Sequence, residues 1–110
     1  MDNIRPLRDE ERDLLAELIA GTPRAAQLLD FLSGCLVEEM NDGGMGSLRF
    51  CSRDGRSRHL GAQLIEREFI DSDGVPVIVT INLDDHSELY ELDVWKVDFS
   101  PLKRFPAVIK

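Results

Sequence analysis

The sequence predicts an α+β fold in which an N-terminal helical hairpin packs on one face of a roughly five-stranded antiparallel meander sheet. Three observations carry that expectation. Apolar residues recur at helical spacing as far as Leu32, the period switches to two after Gly34, and the alternating runs that follow are joined by short, turn-rich connections. Short connections join neighbouring antiparallel strands. A chain of 110 residues, 43% apolar and 31% charged, suits a single domain over 1–110 whose one core folds without metal or disulfides.

The first helix has Asp9 placed to cap it, an acidic first turn in Glu10 and Glu11 that the helix dipole favours, and one apolar stripe of Leu14, Leu15, Leu18 and Ile19. Gly21 ends it. Thr22 is then placed to cap a second helix with Pro23 at its first position, and Ala25, Leu28, Leu29 and Leu32 form its buried side up to Ser33 and Gly34. Strands are predicted over 35–40, 47–51, 61–70, 75–83 and 88–99, separated by NDGGMG, SRDGRSRH, DSDG and DDHS.

Within 75–83, Val77, Val79, Ile81 and Leu83 point toward the helices, and Ile78, Thr80 and Asn82 point away. The final run, ELYELDVWKVDFSPL, is less regular: Tyr90, Leu92 and Val94 alternate in one phase, and Trp95, Val97 and Phe99 in the other. A β-bulge near Val94 and Trp95 would put all six toward the helices and leave Glu91, Asp93, Lys96 and Asp98 on the opposite side. The alternative is a strand whose two halves face different layers. Under the bulge reading, Glu66, Glu68, Glu91, Asp93, Lys96 and Asp98 share an open, acidic sheet face.

The net charge is −8, with −6 over residues 1–48, +3 over 49–60 and −5 over 61–110. An acidic body repels nucleic acid and suits a basic protein partner. No apolar run approaches the roughly 20 residues of a membrane span, and the charged N-terminal run does not read as a secretory signal, so a cytoplasmic protein is expected. Cys35 and Cys51 lack metal-site spacing and read as reduced core or strand residues.

The motifs point to no catalytic residue, cofactor or metal. GGMGS lacks the lysine and the following helix of a phosphate loop, DSDG lacks the remaining ligands of a calcium loop, and the lone His86 of LDDHSE sits in an acidic turn. Neither His59 nor His86 has the oriented partners that nucleophilic catalysis needs. The basic island of Arg49, Arg53, Arg56 and Arg58 reads as ion-paired to nearby carboxylates, with anion binding, in a small-molecule or enzymatic module, as its alternative role.

The runs NDGGMGSLRF, DSDGVPV and ELDVWKVDFSPL resemble those of a family of short bacterial proteins known as a domain of unknown function. The resemblance spans nearly the whole chain and implies no activity, cofactor or catalytic residue. As a small, acidic α+β chain ending in a Trp-containing strand, it is also similar to the immunity proteins with which bacteria neutralise toxins. The expected function is a protein-binding domain with a basic partner; a homodimer through an exposed edge strand is the further reading.

Overall fold

The computed structural model of the chain describes residues 4–40, 46–51 and 58–106. Among these residues the elements run β1 (Ile4–Pro6), α1 (Asp9–Ala20), α2 (Ala25–Leu32), β2 (Leu36–Glu39), β3 (Leu48–Phe50), β4 (Leu60–Ile70), β5 (Pro76–Asp84) and β6 (Leu89–Lys96). The strands form one antiparallel sheet of order β1-β2-β3-β6-β5-β4. This is the expected α+β fold with its helices N-terminal. The described strands number six because Ile4–Pro6 pairs with β2, a run too short to show a period in sequence. The order leaves a simple meander once: β3 lies beside β6, so the chain crosses from mid-sheet to the far edge between β3 and β4.

Helix α1 begins at Asp9, which is its first helical residue and not its cap. The reason lies in Glu11, whose carboxylate accepts the Arg8 backbone N–H at 2.8 Å and so fills the capping role from inside the helix. The same carboxylate takes a bidentate pair from Arg5, with both bonds at 2.8 Å, while Arg5 Nε reaches Glu39 at 2.8 Å. Burial alone would raise the Glu11 pKa, but the hydrogen bonds from Arg5 and Arg8 overcome it and hold the carboxyl below its ordinary value. One guanidinium thereby ties β1 to both α1 and β2.

Thr22 does not cap α2 as expected. Its hydroxyl donates to the Ile19 carbonyl at 2.7 Å and closes α1 instead, leaving Pro23 in the turn and starting α2 at Ala25.

Leu14, Leu15, Leu18 and Ile19 of α1 and Leu28 and Leu32 of α2 join a core with Val37, Leu48, Phe50, Val77, Val79, Ile81, Leu83, Leu89, Leu92 and Val94. The inward set expected of β5 is therefore correct. At the seam between β3 and β6, Ser47 substitutes a side chain for backbone pairing: its hydroxyl accepts the Val94 N–H at 2.8 Å and donates to the Val94 carbonyl at 3.2 Å. Gly61 marks the tightest backbone approach, since a Cβ there would lie 2.2 Å from the Asp84 carbonyl oxygen.

Gly61→Ala is expected to cost about 1–3 kcal/mol through forced backbone displacement, and Ile81→Ala about 2–5 kcal/mol through a core cavity. Urea denaturation of the two variants checks both.

Candidate functional site

Strand β6 sets which residues reach the surface. It pairs with β5 without interruption from Glu91 to Lys96, so the bulge expected near Val94 and Trp95 is absent. The irregularity falls at Tyr90 instead, where Asn82 pairs with Glu91 but Leu83 pairs with Leu89. Leu92, Val94 and Lys96 consequently point toward the helices, and Glu91, Asp93 and Trp95 point away. The phase change in the sequence marks the outward placement of Trp95 near the end of β6 and the turn beyond the strand, which carries Val97 and Phe99. Trp95, Val97 and Phe99, expected in the core, are 41%, 38% and 71% exposed. Tyr90 is also outside the core, lying half-buried under the guanidinium groups of Arg49 at 5.0 Å and Arg58 at 5.3 Å.

Lys96, expected on the open face, is fully buried on the inner one. Its ammonium donates to Asp71 at 2.8 Å, to Asp73 at 2.7 Å and to the Pro101 carbonyl at 3.4 Å. Both carboxylates come from DSDG, the expected hairpin turn between β4 and β5, where Gly74 has a positive φ and its N–H reaches the Asp71 carbonyl at 2.9 Å. Asp71 also accepts the backbone N–H groups of Lys103 at 2.8 Å and Arg104 at 3.1 Å, which pins the segment after β6 to this turn. Those amides and the ammonium hold the Asp71 pKa far below the ordinary carboxylate range, and Lys96 depresses that of Asp73. Burial alone would lower the Lys96 pKa, but its two carboxylate partners raise it.

Four of the remaining acidic candidates, Glu66, Glu68, Glu91 and Asp93, meet on the open face. Glu66 pairs with Thr80 and Thr80 with Asp93 across β4, β5 and β6; one row away, Glu68, Ile78 and Trp95 stand in line. Glu91 follows beyond Asn82, which donates to it at 3.0 Å. Glu66 accepts the Thr80 hydroxyl at 3.4 Å. Asp98 lies past the end of the strand, in a turn, where the hydroxyl and N–H of Ser100 bond its carboxylate at 2.7 and 3.0 Å and lower its pKa. Exposed apolar residues adjoin these carboxylates along the strands: Ile70 lies two residues beyond Glu68 and Trp95 two beyond Asp93, Val97 and Phe99 follow in the turn, and the Trp95 and Phe99 rings are 5.8 Å apart. Sequence reasoning missed this corner because it placed its aromatics inside.

The arginine island is partly visible. Arg53 and Arg56 lie outside the described residues. Arg49 pairs with Glu91 at 3.5 Å on the open face; Arg58, nearly buried, bonds Asp84 at 3.3 Å and the carbonyls of Leu89 and Phe50. Asp84 also takes the N–H groups of His86 and Glu88 at 2.7 and 3.0 Å. Burial would raise its pKa, but these amides and Arg58 lower it, so the carboxylate organises the β5–β6 turn. No group of three or more metal-ligating side chains occurs among the described residues, and no helix there is long and apolar enough to cross a membrane.

Over residues 4–106 the sequence matches the model of a domain of unknown function, DUF6984. The chain belongs to that family. No curated protein and no solved structure matches it. In this DUF6984 domain the open face brings carboxylates together with exposed aromatic area.

Lys96→Met is expected to raise hydrogen exchange at the Lys103 and Arg104 amides while those of Val79 and Ile81 stay protected, because it strips Asp71 and Asp73 of their ammonium. Depressed carboxyl pKa values give stability that is complete above the ordinary carboxyl range and lost as pH falls through the folded values. A raised lysine pKa gives stability that is complete below about 10.4 and lost above it. The segment is thus expected to stay docked between about pH 4 and 10 and to loosen in stronger acid, as the same two amides will report.

Proposed function

We propose that this domain is a cytoplasmic, stoichiometric protein-binding module whose open sheet face takes a basic partner, and that it serves as an immunity protein neutralising a toxin. One observation carries the reading: Glu66, Glu68, Glu91 and Asp93 share the sheet face opposite the helices. Aligned carboxylates on a flat face steer a cationic surface into encounter and reject anionic competitors. The net charge of −8 adds to that field over distances of about a Debye length, roughly 8–10 Å at physiological salt. The exposed apolar corner beside the carboxylates supplies the area that a charged rim alone lacks.

A toxin-like protein encoded beside this one is the natural partner to test. Replacing Glu66 and Asp93 by lysine should slow its association about ten-fold or more at low salt, since both carboxylates contribute to the field that steers a cationic partner. Stopped-flow association across a salt series checks this. Equal rates for the native and reversed domains would remove the open face from the interaction.

A further inference from the structure

We infer that the Trp95–Phe99 corner is an anchor for an arginine side chain of the basic partner, an inference that rests on the protein-binding reading of the open face. The corner is built to be displayed. Phe99 sits at φ 64°, a left-handed backbone conformation that is costly for a bulky residue, and its N–H bonds the Lys96 carbonyl at 2.8 Å to close the turn. The side chain so held is 71% exposed, with its ring against Trp95 at 5.8 Å and 52°. Buried Lys96 and the Asp98–Ser100 bonds fix the two ends of this turn. An exposed aromatic pair on a rigid turn loses little conformational freedom on binding.

The chemistry around the pair selects the ligand. Asp93 lies two residues from Trp95 on the same face, about 7 Å along the strand, and Glu68 lies two strands across, about 10 Å away. A guanidinium stacked on the indole can turn its N–H edge toward either carboxylate, whereas an ammonium cannot stack and fork together. The same face already contains this arrangement within the chain: Arg49 lies over Tyr90 and pairs with Glu91 at 3.5 Å. At Trp95 the aromatic is presented outward beside Glu68 and Asp93, the latter also accepting the Ser47 hydroxyl at 3.4 Å, and the guanidinium would come from another molecule.

Trp95 is the sole tryptophan, so its fluorescence reports the corner directly. The full chain is titrated at low salt with hexa-arginine and hexa-lysine, with calorimetry alongside. Hexa-arginine should shift Trp95 emission saturably and bind about two- to five-fold tighter than hexa-lysine. Phe99→Ser, with its fold verified by circular dichroism, should abolish that preference, while lysine at Glu66 and Asp93 should weaken both peptides. Equal binding of the two peptides, or binding with unchanged emission, overturns the anchor. If that binding is still lost on charge reversal, the acidic-face reading stands without it; if neither peptide binds, the anchor falls, and the partner kinetics alone judge the face.

Discussion

An ammonium taken fully out of water has to be met by negative charge, and Lys96 is met by Asp71 and Asp73 together with the Pro101 carbonyl. Much of the molecule's outline follows from that requirement. The β4–β5 turn is drawn onto the end of β6, and the chain beyond β6 folds back over the turn through the Lys103 and Arg104 amides. Side chains in a strand alternate sides, so an inward Lys96 forces Trp95 outward. The exposed tryptophan is thus a consequence of the buried lysine one residue later.

The sheet's two faces divide the work. The inner face carries the branched aliphatic residues of β5 and β6 and packs on the helical hairpin, which supplies the hydrophobic driving force. The outer face combines carboxylates with exposed apolar area, a mixture that adds little to folding and suits recognition. Membership of DUF6984 brings no chemistry of its own, and the proposed binding role rests on this asymmetry.

Most of the architecture is legible in the sequence because hydrophobic period and turn chemistry are local signals. The hairpin of helices, the alternation in β5 and the DSDG turn all follow from residues within one or two turns of each other. What escapes has a long-range cause. Three residues of β1 carry no pattern, and their pairing with β2 is reinforced by Arg5 reaching Glu11 and Glu39, both distant from a three-residue run. In sequence, a bulge near Val94 and Trp95 accounts for the slip of phase by gathering all six apolar residues on one side, which leaves Lys96 on the other. Its burial depends on two aspartates more than twenty residues upstream, which no local pattern exposes. The face was legible for Glu66 and Glu68, set by Ile65 and Phe69 pointing in, and for Glu91 and Asp93, set by Leu92 and Val94, and illegible for Lys96 and its neighbour Trp95, whose orientation the ion cluster decides.

The single seam between β3 and β6 divides the sheet into an early-synthesised half and a late one. Strands β4, β5 and β6 are consecutive and can zip up as local hairpins, but β3 finds its inner neighbour only when β6 exists. On the ribosome, the first half therefore emerges with an open flank of unpaired backbone along β3, and it must wait for nearly the whole domain before that flank closes. Nascent chains of this topology are candidates for chaperone protection during that interval, and a stall between β3 and β6 is where self-association would begin.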